Sequence, residues 1–410
     1  MVKFMKIKYS TVQWGISCFI ILWLNAGNFE YIQGIFPQIV KFGLVAIWFL
    51  ITIVVYKGFV ELYLSKAIPI FFMIGIILLS RIFGNGRYFT LYWMSYLYYA
   101  IIFAVFVCSF YFYDKWKSKA LLLVLIADIT IVAIHTFIEL IKNPILVRAI
   151  STSADSRAII LNGAIPVGVG GYGMCYQLVF CSMLLVLLLD KKTQHKIWIY
   201  LAEIFIFCVL FSAQITLALI MQVIGVIAVV MFRNGRESYI WKILFLIILF
   251  ALILNLDRVL QYLISYAGDD MAQRLEELIR IREISADSSG DIASRYRLYW
   301  KSFSLFWQNP IWGDFGGAGI GCHSTFLDLL GAYGLLGIAG IIGFLRPLQL
   351  TLKYCVYRMV KVKLLLIFFM LIMLSMVNAS ISSDILLVTS IAVPLFFKVL
   401  YTQETNYENH

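Results

Sequence analysis

The residues with the clearest chemical capacity stand between Arg295 and Gly337. His323 follows a glycine-rich stretch made of Gly313, Gly316, Gly317, Gly319 and Gly321, and the arginines Arg295 and Arg297 precede both. An imidazole with an ordinary pKa of about 6.5 suits general-base work near neutral pH. Glycines let a backbone approach a ligand closely, and free amides in such a turn cradle anions, which singles out Gly319 and Gly321 beside His323-Ser324. A guanidinium binds phosphate through two parallel hydrogen bonds, so Arg295 and Arg297 are candidates to hold a phosphorylated ligand. Each feature also has a plain structural reading, as an exposed loop histidine, a flexible linker and solvated charge. Their concentration in one segment makes that segment the leading candidate.

Weaker candidates lie elsewhere. Asp128, His135 and Glu139 share one face of an apolar segment, at i, i+7 and i+11. Ionisable groups inside a membrane are costly and default to functional hypotheses, with a structural pairing as the alternative. Glu203 and Asp328 are of the same kind. Asp328 lies five residues past His323, and is expected to orient the ring only indirectly. The segment 142–170 carries Arg148, Arg157 and a glycine run that begins at Gly163, and reads equally as a linker or as a second wall of a site. Most of the seven cysteines sit in apolar runs and there is no CxxC pair. Cys322, beside His323, is expected to be a packing residue. No metal is expected, since no Asp-x-Asp type carboxylate cluster is present.

The elements that must position these residues follow from composition. Of 410 residues, 62% are hydrophobic and 13% charged, with a mean hydropathy of +0.91. A soluble domain has roughly 45–50% apolar and about 25% charged residues. Soluble enzymes, disordered chains and secreted disulfide scaffolds are thereby excluded. A membrane span needs about 20 mainly apolar residues, and twelve segments approach this. They cover about 11–25, 38–56, 67–83, 95–112, 120–141, 171–189, 196–212, 215–232, 240–257, 324–345, 364–377 and 384–401. Only Ser212, Ala213 and Gln214 separate the seventh from the eighth. The basic start MVKFMKIKYS precedes an apolar run with no small-residue cleavage site before Asn25, and reads as a retained helix.

With an even number of spans both termini share a side. If they are cytoplasmic, inner segments hold 20 Lys and Arg against 5 in outer segments, leaving out the long loop 258–323. That asymmetry orients the chain, because cytoplasmic loops carry the positive excess. The net charge of +11 then reflects orientation and calls for no nucleic-acid partner. The inner set is mostly Lys, 16 to 4, and the outer set mostly Arg, 10 to 2, which favours a phosphorylated ligand outside. Three regions result: helices over 1–257 with an outer loop at about 142–170, an extracytoplasmic loop over 258–323, and helices over 324–410. Within the long loop, residues 270–284 have helical apolar spacing with a charged face and read as an amphipathic surface helix. A second helix, about 292–308, holds Tyr299, Trp300, Phe303, Phe306 and Trp307 and stops at Asn309-Pro310. Its tryptophans suit either interfacial anchoring or stacking on sugar rings.

His323-Ser324, nine residues, Gly334, two residues and Gly337 match the H-[NSQ]-x9-G-x-x-G/T/Y signature of O-antigen ligases. Arg295, an aromatic helix, Pro310 and Gly313 stand at the spacings shared by these ligases and Wzy-type polysaccharide polymerases. The chain therefore resembles this family of membrane glycosyltransferases, closely over about 45 residues and more loosely over the twelve-span plan. One departure is Ser212-Ala213-Gln214, where family members often carry Ser-Arg-Gly/Ala. The resemblance implies an all-α polytopic protein of the bacterial cytoplasmic membrane, with its active site on the outer face. It implies a metal-independent transferase, without cofactors, that moves a growing glycan from a polyprenyl diphosphate to a lipid-linked repeat unit. Its partners would be lipid-linked oligosaccharides and membrane lipids, beside a flippase and a chain-length regulator. His323 would take the proton of the attacking sugar hydroxyl, while Arg295 and Arg297 stabilise the departing diphosphate. Arg148, Arg157, His135, Glu139, Gly319, Gly321 and Ser324 would contact substrate. A ligase with another acceptor fits the same motif. A flippase for lipid-linked sugars is the rival from another class, and it should show two related halves and a charged path through many helices. A non-catalytic assembly subunit is the remaining alternative.

Overall fold

The computed structural model describes residues 8–84, 86–152, 166–189, 196–232 and 291–401, with isolated positions between 261 and 279. The expected span at 240–257 lies outside the described residues, as does Arg157. Only positions 272, 276 and 279 of the expected 270–284 helix are described. Among the described residues the fold is all-α, with no strand.

Among the described residues, seven helical stretches are long and apolar enough to cross a membrane: Gln38–Val55, Phe59–Phe83, Arg87–Tyr111, Lys115–Lys142, Thr325–Tyr354, Arg358–Val377 and Ser383–Tyr401. Tyr9–Leu24, Tyr172–Leu188 and Thr216–Met231 are apolar but shorter. Several helices outrun the apolar windows that announced them. Phe59–Phe83 begins eight residues before the expected 67, passing through Glu61 and Lys66. Arg87–Tyr111 likewise begins eight residues before 95, through a tyrosine-rich turn. Hydropathy marks the part of a helix that suits hydrocarbon, whereas backbone hydrogen bonds continue into the interfacial layer. The segment between the first two expected spans is itself a helix, Ala26–Ile35, and Leu146–Thr152 is another. Lys196–Ser212 and Thr216–Met231 are separate, divided at Gln214, whose φ is +55°.

Helix packing relies on small and polar residues, as it must where lipid is as apolar as the side chains. Gln13 is wholly buried and joins three helices. Its Nε2 donates to Thr52 Oγ1 (3.0 Å), and its Oε1 accepts from the Tyr113 hydroxyl (2.8 Å). Trp48 donates to Ser17 Oγ (2.7 Å), so the same network reaches a buried indole.

Contacts sort the described turns into two groups, one at each end of the bundle. At one end, Trp14 packs on Trp116, Phe110 on Tyr354, and Lys398 Nζ donates to the Ser109 and Tyr113 carbonyls. At the other, Asn25 and Asn28 donate to Asp128, Gly170 donates to Thr136 Oγ1, and Thr325 Oγ1 pairs with Ser380 Oγ. Tyr88 N donates to the Gly316 carbonyl at this second end (2.8 Å). The segment from Arg295 to Gly337 belongs to it.

Candidate active site

The helix Asp291–Gln308 comes within one residue of the expected 292–308, and it stops before Pro310 as the Asn-Pro step required. One of its faces carries Leu298, Ser302 and Leu305, which meet the glycine-rich turn and the short helix Thr325–Tyr333. Tyr299 shares that side and donates through its hydroxyl to the Val377 carbonyl (2.6 Å). Arg295, one turn earlier on the same side, is half-buried and lies close enough to Tyr176 to act on it electrostatically. Arg297 points away from that face and is exposed. The structure thus separates two arginines that sequence spacing left equivalent.

The glycines make close packing possible. A Cβ on Gly321 would strike the Leu298 carbonyl, and one on Gly331 would meet the Ser302 carbonyl at 2.6 Å. Gly313 has φ +61°, and a Cβ there would meet the Gly331 carbonyl at 2.5 Å. Gly334 ends Thr325–Tyr333 with φ +57° and ψ −139°, a region that side chains all but forbid, and it abuts the Pro310 carbonyl. Leu335 N donates to that carbonyl (2.8 Å). After a single 3-10 turn, Gly334–Leu336, the chain continues as Gly337–Tyr354. What reads in sequence as one span from 324 to 345 is therefore two helices with a break at the motif's glycines.

The amides expected to stand free for an anion are engaged. Gly319 N donates to Asp314 Oδ2 (3.0 Å), Gly321 N to Ser302 Oγ (2.8 Å), and Gly316 N to the Ala332 carbonyl (3.3 Å). Acidic and hydroxyl groups of the chain itself occupy the cradle, because a compact turn cannot leave its donors unpaired.

Asp328 acts on the histidine loop through the loop's backbone and, in its described contacts, not on the imidazole ring. Its carboxylate accepts Ser302 Oγ–H (2.5 Å), Cys322 N–H (3.2 Å) and Ser324 N–H (3.1 Å), and also bonds to the His323 backbone. The loop before the helix folds back over the helix's first turn, so a residue a turn and a half deeper becomes its anchor. Consecutive amides wrapped round a carboxylate form an anion nest. The nest imposes φ +63° on Cys322, a left-handed conformation rare for a residue with a Cβ. Ser324 caps the helix, its Oγ accepting from Leu327 N (3.2 Å), and donates onward to the Ser375 carbonyl. His323, half-buried, is thus held between two pinned neighbours. Cys322 packs at the margin of the core, and burial, reinforced by the Asp328 charge, pushes its thiol pKa up.

Arg87 Nη1 donates to the Ala318 carbonyl (2.5 Å) and interacts with Cys322, which ties the turn between Phe59–Phe83 and Arg87–Tyr111 to the site. Arg87 is not among the residues that the sequence singles out.

His135 and Glu139 form a separate group. The Gly168 carbonyl accepts from His135 Nδ1 (3.2 Å), and Glu139 pairs with Lys142 (2.6 Å) in an exposed ion pair of the kind worth little. Asp128 is satisfied by Asn25 and Asn28. Arg148 lies half-buried on Leu146–Thr152. None of these described contacts reaches His323. A residue that sequence reasoning passed over, Asp384, is 2% exposed. It fills the place where a Cβ on Gly173 would stand, at the start of Tyr172–Leu188. Its sequence signal was a carboxylate at the head of an apolar run, after Ser382-Ser383. Among the described residues no group of three or more His, Cys, Asp or Glu could hold a metal ion.

Compared with known proteins, the sequence matches no family model and no curated protein. Fold and composition define an all-α protein built on helices suited to a membrane. At one end of its bundle it carries a preorganised histidine loop, and the helix that packs against that loop bears a half-buried arginine, Arg295.

Proposed function

We propose that this chain is a polysaccharide repeat-unit polymerase of the O-antigen or capsular kind, with its site at the outer face of the bacterial cytoplasmic membrane. The observation that carries the reading is the assembly of four motif parts into one unit. These are the Arg295 helix, the glycine turn and the His323 loop, held together on Asp328 and Ser302, and the Gly334–Gly337 break, which packs on the Pro310 and Leu329 carbonyls. Turns assigned by charge to one side contact one another at that end of the bundle, as the span order requires.

In the proposed reaction a sugar hydroxyl of the lipid-linked repeat unit attacks the anomeric carbon of the donor glycan. The new glycosidic C–O bond forms as the bond from that carbon to the diphosphate oxygen breaks, and the oxygen leaves with the electron pair. His323 takes the hydroxyl proton. Arg295 stabilises charge on the departing diphosphate, where a fixed guanidinium is worth most. Arg297, on an exposed face, is better placed to meet a headgroup or the far end of the substrate. Asp328 is a positioning residue that holds the histidine loop.

The test is product analysis in a deletion strain complemented with wild type, His323→Ala or Arg295→Ala, with lipid-linked and surface glycans run on gels. Polymerase activity predicts that the deletion strain and both variants present single repeat units at the surface. Long chains stranded on the lipid carrier would identify a ligase. Full activity from both variants would sink the site and favour a transporter of lipid-linked sugars.

A further inference from the structure

Among the described residues, the helix Asp291–Gln308 packs on the protein through one of its three faces. The face bearing Leu298, Ser302 and Leu305 packs on the glycine turn and on Thr325–Tyr333. A second face carries Tyr296, Trp300, Phe303 and Trp307, which are 61%, 59%, 36% and 73% exposed. A third carries Arg297, Lys301 and Gln308, all exposed. At about 3.6 residues per turn the aromatic face stands nearly opposite the packed face, and the polar face lies between them, roughly a quarter to a third of a turn from each. A helix with two exposed strips of opposite chemistry stands between two solvents, because four large aromatic groups in a row do not face water without cost.

The surroundings say which solvents. The middle of the helix rests on Val377, the last residue of Arg358–Val377, through the Tyr299 hydroxyl. Beyond the C-terminal end of Asp291–Gln308, the Pro310 carbonyl holds Leu335, two residues past Tyr333, which pairs with Ser80 near the end of Phe59–Phe83. The helix therefore runs across the like ends of two apolar helices rather than alongside them. Its aromatic row continues through exposed Ile311 and Trp312 to exposed Leu335, Ile338 and Ile342, on the surface that a membrane helix turns to lipid.

We infer that Asp291–Gln308 lies in the headgroup boundary of the bilayer, with Tyr296, Trp300, Phe303 and Trp307 against lipid and Arg297 and Lys301 among the phosphates. Amphipathic aromatic rings favour that layer, and basic side chains reach from it to anionic oxygens. This does not depend on the transfer reaction. It makes the bilayer the outer support of the helix that carries Ser302 and Arg295.

The test places a nitroxide, through a genetically encoded ketone residue, at 296, 300, 303 and 307 and at 297, 301 and 308. The full chain is reconstituted in phosphatidylethanolamine–phosphatidylglycerol vesicles. Collision with oxygen, which concentrates in lipid, is compared with collision with a water-soluble nickel chelate. The expected result is a higher oxygen-to-nickel ratio at every aromatic-face site than at every polar-face site. Equal nickel access on both faces would overturn the inference and leave the aromatic residues free to stack on sugar. Low collision with both reagents on the aromatic face would also overturn it, because protein, including a second copy of this chain, would then cover the row. Unlabelled wild type, Trp300→Phe and Trp307→Phe in lipids brominated close to the headgroup give an independent reading. Each substitution should remove part of the quenchable emission, and unchanged quenching in both would count against lipid contact.

Discussion

Replacing Asp328 by Ala should release the histidine loop while leaving the helical bundle folded. The carboxylate accepts Ser302 Oγ, Cys322 N and Ser324 N at 2.5, 3.2 and 3.1 Å. Ser302 and Ser324 are 0% and 1% exposed, so water cannot replace the lost acceptor at either. Cys322 and His323 are half-buried and can turn toward solvent. Two stranded donors at about 1–3 kcal/mol each put the cost at roughly 2–6 kcal/mol. Even the lower figure raises the loop-opening constant about 30-fold. Ser302 also accepts Gly321 N, so release should spread back into the glycine turn. Asp328→Asn keeps the volume and one acceptor oxygen but turns an NH2 toward donors, and should fall between. The assay is amide hydrogen exchange in lipid nanodiscs, over peptides covering 319–328. Exchange there should accelerate in Asp328→Ala, while the core stretch from Phe103 to Phe110 keeps its protection. Equal protection of the loop in both proteins would refute the anchoring argument, and uniform loss everywhere would refute its local character.

Arg295 and Arg297 should separate in function as they do in space. Arg295→Ala should abolish long glycan products and Arg297→Ala should retain most of them, and equal losses on the glycan gel would contradict the face assignment. Gly334→Ala should destabilise the protein by about 1–3 kcal/mol through φ strain alone, more with the Pro310 clash, and lower the melting temperature in detergent. Gly75→Ala is the control, since a Cβ there meets nothing within 4 Å, and it should leave melting unchanged or raise it by up to about 1 kcal/mol equivalent. Cys322 should alkylate slowly at pH 8, because burial and the Asp328 charge keep its proton on. Removing that negative charge in Asp328→Asn favours the thiolate, lowers the thiol pKa and should speed labelling several-fold, read by mass spectrometry against a Cys322→Ser background. An unchanged rate would go against the nest.

Much of the frame was legible in the sequence, and the reason is local. Apolar runs longer than a soluble strand or helix needs have one stable use, so composition alone indicated helices for a membrane. The Asp291–Gln308 helix could be bounded because an aromatic-rich periodic segment ends at Asn309-Pro310, and a proline acts on its immediate neighbours. Ser212-Ala213-Gln214 marked a turn for the same kind of reason, and Gln214 adopts a left-handed φ there. Helix starts were less legible. Tyrosine, lysine and glutamate in the first turns of Phe59–Phe83 and Arg87–Tyr111 lower hydropathy without breaking the helix.

The sequence by itself determined which residues had chemical capacity, where the main apolar helices run, and that Arg295, the glycines and His323 share one segment. Only the tertiary structure decided what those residues do to each other. Gly319 and Gly321 looked like a cradle for an anion, but Asp314 and Ser302 already occupy their amides. Asp328 reads in sequence as able to orient His323 only indirectly, and it is the fold of the loop that places consecutive amides on its carboxylate. Arg295 and Arg297 looked interchangeable until helix packing turned one inward and left the other exposed. Spacing along a chain constrains only neighbours within a turn or two. Which donor meets which acceptor depends on how distant segments pack, and on the requirement that each buried polar group find a partner.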